Sequence, residues 1–396
     1  LRPRHHRHAR RSGTGERGLT VTSIRVQLPG AASSSPGAAA AEDRSYDIHV
    51  GRGLLETVGP LLRHRSATRA VVITDAAIAD SHAATVIRSL QSAGIAATPL
   101  TVPSGEASKS IAEASRLWDE FARLAVDRGT QVVAVGGGVV GDLAGFVAAT
   151  FARGLAVWQV PTTVVAQVDS GIGGKTGINL PGGKNLVGAF WQPRGVIADI
   201  DTLATLPERE FLSGLAEVVK YGMILDPAFL AWLEANAAPL RAREPAAVAH
   251  AVERSAALKA DVVAADEREV SGRRAILNYG HTFAHALETG AGYGTLLHGE
   301  AVSIGMAAAA RLAARLGRIG RDVVERQDRL LTAVGLPLST PHAGSPDELL
   351  AIMARDKKSV AGRLRFVLPC RVGHVELVDG IDPGLVRQVL LEHLLP

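Results

Sequence analysis

The chain has 396 residues, 47% of them hydrophobic, which is enough for one large core or two medium ones. Its single cysteine, Cys370, excludes an intrachain disulfide and a cysteine-rich zinc site. No run reaches the roughly 18 apolar residues of a membrane span, so we expect a soluble, cytoplasmic protein with no membrane partner.

Residues 1–41 come first along the chain. Six arginines and one glutamate give residues 1–18 a charge of +5, so the remainder of a chain with a total of +4 is close to neutral. This distribution argues against a nucleic-acid partner for the folded body. We expect residues 1–41 to be a disordered basic extension and linker. An organellar transit peptide is the alternative, since no apolar signal-peptide core follows the charges.

Residues 42–205 alternate short apolar runs with stretches of helical spacing. The spacing predicts strands at Ala70–Thr74, Gln131–Val135, Ala156–Val160 and Gly195–Ile200, and helices at Ile111–Leu124 and Val139–Phe151. Strands that alternate with helices indicate a parallel sheet covered on both faces, here a Rossmann-like α/β domain. Ligands of such sheets bind at the carboxyl ends of the strands.

Residues 206–396 predict a mostly α-helical C-terminal domain. Its predicted helices are 208–222, 227–236, 245–265, 275–288, 298–316, 319–334 and 346–355, with a last one from Pro383. Two short strands are predicted between the last two helices, at Leu364–Leu368 and Val375–Val378. The fold class is therefore an N-terminal α/β domain followed by a helical domain.

A glycine-rich turn, Gly136–Gly141, follows a predicted strand and opens a predicted helix. Its G-x-G-x-x-G pattern is a weak signal, because no acidic residue lies about 20 positions further on, and a tight turn without a ligand is the alternative. Glycines here let the backbone approach a pyrophosphate at a helix N-terminus. Asp75, at another strand end, then either accepts a hydrogen bond from a ribose hydroxyl or caps a helix.

Histidines in the second half are candidate metal ligands. His281 and His285 lie four apart on one helical face, and His298 starts the next predicted helix. A zinc protease would have Glu directly after the first His, where this chain has Thr282. Two His and one Glu with an open position form a catalytic zinc pattern, and Glu217 can supply the carboxylate. A structural role for each His is the alternative.

Several cations lie beside glycines or in apolar segments. They are Arg153, Lys175, Lys184, Lys220, Lys259, Arg274, Lys357 and Lys358. Isolated lysines are usually solvated, but Lys175 lies between Gly174 and Thr176, and Lys220 follows Glu217 by three residues. Such a set suits a ligand that carries both phosphate and carboxylate.

These motifs resemble 3-dehydroquinate synthases of the sugar phosphate cyclase superfamily, over about residues 45–390. The resemblance is most specific through Gly136–Lys220 and Asn278–Met306. It implies one NAD and one divalent metal, zinc or cobalt. It also implies conversion of 3-deoxy-D-arabino-heptulosonate 7-phosphate to 3-dehydroquinate and phosphate, in the shikimate pathway to aromatic amino acids.

Residue roles carry over by motif. NAD contacts are implied for Asp75, Glu106, Lys109, Gly137, Gly138, Val139, Asp142, Thr162, Thr163, Lys175, Lys184, Thr205 and Leu206. Metal ligands are implied for Glu217, His281 and His298. Substrate contacts are implied for Asp169, Lys175, Asn185, Lys220, Lys259, Arg274, Asn278, His285 and either Lys357 or Lys358. Arg153 resembles an arginine that reaches a neighbouring subunit, which implies a homodimer.

Two departures from the family pattern stand out. Ala77 occupies a position that is often Asn, and Gly171 one that is usually Ser or Ala, which we expect to loosen the loop beside Asp169. The alternatives in function are a sister cyclase, such as an aminodehydroquinate or valiolone-type synthase, a metal- and NAD-dependent polyol dehydrogenase, and a non-catalytic descendant. Arg274 and Lys259 favour a carboxylate-bearing substrate over sedoheptulose phosphate.

Overall fold

The computed structural model describes residues 9–12, 21–28, 43–292, 294–355 and 364–394. The chain forms two compact units. The first contains Leu1–Leu206 and Ser255–Arg268, and the second contains Pro207–Arg254 and Glu269–Pro396. The chain therefore enters the second unit, returns to the first within a long helix, and enters the second again.

The first unit is built on a mostly parallel β-sheet. Its strands are β1 (Ala9–Ser12), β2 (Val21–Val26), β3 (Tyr46–Gly51), β4 (Arg69–Asp75), β5 (Ala96–Val102), β6 (Gln131–Gly136), β7 (Ala156–Pro161), β8 (Lys175–Leu180), β9 (Gly183–Phe190) and β10 (Gly195–Asp199). Strands β8 and β9 form a separate antiparallel hairpin, and the others form one sheet in the order β1-β2-β3-β10-β7-β6-β4-β5. From β3 to β5 every neighbouring pair is parallel.

Helices cover both faces of this sheet. They are α1 (Val58–His64), α2 (Ala84–Ser92), α3 (Ile111–Arg123) and α4 (Gly138–Thr150). Alternate residues of a strand point to opposite faces. Val132 and Ala134 of β6 accordingly pack with α3 and α4, while Val133 and Val135 pack with α1 and α2. This is the two-sided burial that the apolar strand runs predict.

The carboxyl ends of the central strands lie in register. Gly136 pairs with Pro161 across β6 and β7, and Thr74 pairs with Val135 across β4 and β6. The residues at the ends of these strands, Asp75 among them, therefore lie along one edge of the sheet, where ligands of parallel sheets bind.

Helices dominate the second unit. Its elements, with the helix shared by both units, are α5 (Glu208–Ile224), α6 (Pro227–Ala235), α7 (Ala237–Arg241), α8 (Pro245–Ala265), α9 (His281–Gly290), α10 (His298–Arg315), α11 (Arg321–Ala333), α12 (Pro346–Arg355), β11 (Arg365–Arg371), β12 (His374–Asp379) and α13 (Pro383–His393). Strands β11 and β12 form an antiparallel hairpin. No helix in the described part of the chain is long and apolar enough to cross a membrane.

The N-terminal region differs from its prediction. Residues 1–41 were expected to be disordered, but β1 pairs with β2, and β2 pairs with β3. In β2, Thr22, Ile24 and Val26 are buried in alternation with half-buried residues. A polar residue, Thr22, lies on the buried face and an apolar one, Val21, on the half-buried face, so the sequence does not show a clean period-2 pattern here. Residues 1–8, 13–20 and 29–42 lie outside the described residues.

Two further boundaries differ. Residues 255–268 group with the first unit, although the sequence assigned 206–396 to one helical domain. One continuous helical pattern gives no indication of which unit each half of α8 joins. The predicted helix 275–288 begins only at His281, because the preceding Gly280 has φ 80°, in the left-handed region, and Arg273–Asn278 is a tighter helical turn.

Replacing Phe121 by alanine tests the packing of α3 on the sheet. Phe121 is fully buried, and its ring meets the Phe151 ring edge-on at a centroid distance of 5.2 Å. We expect Phe121→Ala to lower the free energy of unfolding by about 3–5 kcal/mol, measured by urea denaturation. Ile111→Ala on the same helix, where the side chain is 54% exposed, should cost about 0.5 kcal/mol or less. Equal losses would contradict the placement of α3.

Candidate functional site

The turn from β6 into α4 brings its backbone close to other side chains. A Cβ atom on Gly138 would lie 2.8 Å from Ser170 Oγ, closer than real Cβ contacts come. Glycine therefore leaves room beside the first amides of α4, whose N–H groups have no partner inside the helix. Such a cradle fits the pyrophosphate of a dinucleotide. The Ser170 hydroxyl is buried and has no hydrogen-bond partner among the described residues.

Asp75 ends β4, at the same sheet edge. Its Oδ1 accepts hydrogen bonds from Ala77 N at 2.8 Å and from Ser104 Oγ at 3.1 Å. Asp75 thus caps the following helical turn, which is one of the two roles that the sequence left open for it. Both bonds use Oδ1, so neither of them occupies Oδ2, and a carboxylate oxygen can accept a hydrogen bond from a ribose hydroxyl. The Ala77 side chain is exposed, and only its amide takes part.

A polar network joins the loop after β5 to α4 and to the β8–β9 hairpin. Lys109 Nζ lies 2.5 Å from Asp142 Oδ2, and Lys109 is buried. Burial raises the pKa of Asp142 although the Lys109 ammonium opposes this. Glu106 accepts from Asn179 Nδ2 at 2.8 Å, and Asn179 Oδ1 accepts from Asn185 N at 2.9 Å. Four residues proposed from the sequence thus share one network.

Asp169 is held by a lysine from α8. Lys259 Nζ lies 2.5 Å from the Asp169 carbonyl oxygen and 2.6 Å from Oδ1. Beside them, a Cβ on Gly171 would lie 2.7 Å from the Ala166 carbonyl oxygen. The departure at Gly171 therefore permits a tight backbone contact, contrary to the expectation that it loosens the loop.

Five other residues that the sequence proposes as cofactor contacts also lie in the first unit. Thr162 N donates to Gly136 O at 3.0 Å after β7, and Thr163 Oγ1 accepts from Ala166 N at 3.2 Å. Thr205 Oγ1 donates to Thr202 O and lies 2.9 Å from His82 Nε2. Val139 lies in the first turn of α4, and Leu206 follows Thr205 at the end of the unit.

Three more residues proposed from the sequence lie in the β8–β9 hairpin. Lys175 begins β8 and is exposed, while Lys184 and Asn185 lie at the start of β9, where Asn185 has φ 53°. Arg153 is also exposed, in the turn after α4, with φ 67° in the left-handed region. Neither strand of this hairpin is predicted from the sequence, because both contain glycine, lysine and asparagine, which lower strand propensity.

In the second unit, the structure brings together Glu217 of α5, His281 at the start of α9 and His298 at the start of α10. Each histidine Nε2 lies 3.5 Å from Glu217 Oε1. One ligand atom from each residue lies within 4.8 Å of the others. His285, one turn after His281, is not part of this cluster, and its ring centroid is 5.7 Å from that of His281.

A contact between helices fixes this cluster. A Cβ on Gly299 would lie only 1.7 Å from the Ser213 carbonyl oxygen, and Gly299 N donates to Ser213 Oγ at 3.0 Å. The N-terminus of α10, with His298, is therefore pressed against the backbone of α5, one turn before Glu217. No other residue type fits at position 299 without moving a helix.

Neighbouring groups orient the two imidazoles. His281 Nδ1 lies 3.1 Å from the Tyr279 carbonyl oxygen, so Nδ1 carries the proton and Nε2 presents its lone pair. His298 Nδ1 lies 3.6 Å from Glu288 Oε1. Burial lowers the pKa of His298, but the carboxylates of Glu217 and Glu288 outweigh burial and raise the pKa to about 10. The cluster therefore favours positive charge, and two nitrogens with one carboxylate suit Zn²⁺ or Co²⁺.

Further proposed residues lie near these ligands in the chain. Lys220, almost fully buried, pairs with Glu217 on α5. Arg274, 2% exposed, and Asn278 lie in the turn that precedes α9. Lys357 and Lys358 lie outside the described residues. Neither Glu288 nor Asn179 was proposed from the sequence, in which no local motif marks either residue as part of a site.

The sequence matches two family models. One, described as 3-dehydroquinate synthase N-terminal, matches residues 99–213, and the other, 3-dehydroquinate synthase C-terminal, matches residues 214–359. A 3-dehydroquinate synthase from Rhodopirellula baltica is 52% identical over 88% of this chain and 95% of its own length. The chain belongs to the 3-dehydroquinate synthase family.

Solved structures of cyclases are also similar to this chain. A 2-deoxy-scyllo-inosose synthase complexed with carbaglucose-6-phosphate, NAD⁺ and Co²⁺ has 26% identity and a TM-score of 0.83, over 94% of this chain and all of that one. A 2-epi-5-epi-valiolone synthase from Streptomyces hygroscopicus, with NAD⁺ and Zn²⁺ bound, has 27% identity and a TM-score of 0.82, over 90% and 98%. The α/β and helical architecture is thus that of sugar phosphate cyclases.

Glu288→Gln tests the support of His298. Glutamine keeps the shape of the side chain and removes the charge that faces Nδ1. We expect Co²⁺ to bind metal-free protein about 10–100-fold more weakly, measured by calorimetric titration. Glu325→Gln, at a 62% exposed side chain of α11, is the control and should leave the affinity unchanged. Equal affinities for both variants would remove Glu288 from the site.

Proposed function

We propose that this protein is a 3-dehydroquinate synthase, which converts 3-deoxy-D-arabino-heptulosonate 7-phosphate to 3-dehydroquinate and inorganic phosphate. The observation that carries the proposal is the relative of that name at 52% identity over nearly its full length. The glycine cradle and the Glu217, His281 and His298 cluster support it, because they supply a dinucleotide site and a cation site. The reaction makes the protein a carbon–oxygen lyase.

The enzyme uses NAD and a divalent cation, zinc or cobalt. Bound NAD supplies a reversible hydride acceptor, and the bound cation supplies a Lewis acid for a substrate hydroxyl. We propose that the cofactor contacts come from the first unit: Asp75, Glu106, Lys109, Gly137, Gly138, Val139, Asp142, Thr162, Thr163, Lys175, Lys184, Thr205 and Leu206. We propose Glu217, His281 and His298 as the metal ligands.

In each unit, an ion pair holds an acidic side chain that we propose contacts the substrate or the metal. Lys259 holds Asp169 by two contacts, which fix the position of the carboxylate. Lys220 pairs with Glu217, so the buried carboxylate has a compensating positive charge beside it. The planar guanidinium of Arg274 suits bidentate capture of the substrate carboxylate. We further propose substrate contacts for Lys175, Asn185, Asn278, His285 and Lys357.

The alternatives have less support. The valiolone-type and inosose-type cyclases are 26–27% identical to this chain, about half the identity of the 3-dehydroquinate synthase relative. Aminodehydroquinate synthase is distinguished by its substrate, so the heptulosonate phosphate and its imino analogue should be compared directly. A higher kcat/KM with the imino analogue would favour the sister enzyme.

Phosphate release separates the proposal from a net dehydrogenase. A cyclase regenerates NAD in each turnover, so we expect one phosphate released per 3-dehydroquinate formed, with no accumulation of NADH absorbance. The measurement combines a phosphate assay with absorbance of reduced nicotinamide in the same cuvette. NADH that accumulates in step with substrate consumption would instead identify a polyol dehydrogenase. The His281→Ala variant is the control and should release no phosphate, because it lacks a proposed ligand.

We also propose that the enzyme is a cytoplasmic homodimer in which Arg153 reaches the partner's site. Arg153 is exposed, and the adjacent Ala152 and Arg153 both have positive φ, at 49° and 67°. Backbone strain of this kind persists at functional sites and interfaces. We propose no nucleic-acid partner, because the charge of residues 19–396 is close to neutral.

Subunit mixing tests this role. Arg153→Ala and His281→Ala should each be inactive alone. Mixed after dissociation and reassociation, they should regain activity, because a heterodimer contains one site with its own His281 and the other chain's Arg153. Mixing Arg153→Ala with a double variant, Arg153→Ala and His281→Ala, is the control and should regain none. Absence of recovery in the first mixture, with heterodimers present by mass spectrometry, would place Arg153 in its own subunit's site.

A further inference from the structure

The β11–β12 hairpin carries a second cluster of metal-binding residue types. Cys370 lies in β11 at an irregularity of the pairing between Pro369 and Arg371, and His374 and Glu376 lie in β12. A bulge inserts an extra residue and redirects the side chains that follow it. The Cys370 thiol lies close to His374 and Glu376 on this hairpin. None of these residues belongs to the site described above.

Their geometry resembles that of a metal site. One ligand atom from each of Cys370, His374 and Glu376 lies within 4.8 Å of the others. His374 Nε2 lies 3.6 Å from Glu376 Oε1. The His374 and Glu376 side chains are 49% and 52% exposed, so a cation from solvent can reach them without unfolding the hairpin. Two strands paired across a short turn hold the three groups on one rigid element.

Arg318 already supplies a positive charge to this cluster. Its Nη2 lies 3.1 Å from Cys370 Sγ and also pairs with Glu376 Oε2. A cation bound by the thiolate and the carboxylate must therefore displace the guanidinium. Arg318 follows α10, and its side chain is 25% exposed, so part of it already reaches solvent.

We propose that Cys370, His374 and Glu376 form a second divalent-cation site, for a borderline-soft ion such as Zn²⁺ or Co²⁺, with Arg318 as the competing cation. Thiolate, imidazole and carboxylate together select this class of ion over Mg²⁺ and Ca²⁺, which take oxygen ligands. Three protein ligands leave a fourth position for water. On binding, the thiol releases its proton to solvent and the sulfur forms the metal bond.

The sequence provides a specific spectroscopic test. Cys370 is the chain's single cysteine, and the cluster of Glu217, His281 and His298 contains no sulfur. A thiolate-to-cobalt charge-transfer band in Co²⁺-titrated protein therefore reports this site alone. We expect wild-type protein to bind two equivalents of Co²⁺, with the band, and Cys370→Ser to bind one equivalent without it.

Variants of the other groups separate a metal site from a lone reactive thiol. His374→Ala and Glu376→Gln alter exposed side chains and should weaken the band-producing equivalent by about tenfold or more. Arg318→Gln should strengthen it, because it removes the competing charge. His281→Ala should lose the other equivalent and keep the band, so this test is independent of the proposed catalytic function.

Two results would overturn the proposal. One is the absence of a sulfur-to-cobalt band at millimolar Co²⁺ in folded wild-type protein. The other is a band of unchanged affinity in both His374→Ala and Glu376→Gln, which would show that the thiol binds cobalt without its neighbours. Circular dichroism of each variant verifies that the hairpin and the helices are retained.

Discussion

The contact between Gly299 and the Ser213 carbonyl oxygen is the constraint on which the metal-binding cluster depends. It lets α10 lie against the backbone of α5, so that a histidine at the start of one helix reaches a glutamate in the middle of the other. The three ligands come from three different helices, and each helix is placed by packing rather than by its own sequence. The cluster is therefore a property of the helix packing in the second unit, and small changes in interhelical distance would separate its members.

Buried charge occurs in pairs in both units. Lys109 with Asp142, Lys259 with Asp169, and Lys220 with Glu217 each combine a buried lysine with an acid. Removing one partner would leave the other as an uncompensated buried charge, which is more costly than losing the pair. These pairs stabilise the fold less than apolar packing would. Their contribution is instead to hold charged groups in fixed positions, where they can bind a polar ligand.

The sequence predicted much of this architecture for physical reasons. Central strands such as Gln131–Val135 are apolar on both faces, and helices such as 298–316 have a long regular period, so both patterns are unambiguous. The β8–β9 hairpin and β2 were missed, because polar and glycine residues interrupt their patterns. Residue types alone suggested a metal site of Glu217 and the histidines, but the family resemblance selected His281 and His298 over His285, since residues this far apart in sequence give no local sign that they will meet. Glu288 and Asn179 were missed because each acts through a contact with another element, Glu288 with His298 of α10 and Asn179 with Glu106 after β5.

The path of α8 has a consequence for biosynthesis. The first unit contains 1–206 but also 255–268, and the latter segment carries the lysine that neutralises Asp169. A ribosome must therefore polymerise the intervening stretch, 207–254, before the earlier α/β body acquires its last segment. Folding in the order of synthesis, one domain after another, is the usual route for large chains. This chain cannot follow it to completion, because the α/β unit gains its last segment, with the lysine that pairs with Asp169, only after translation has passed residue 268.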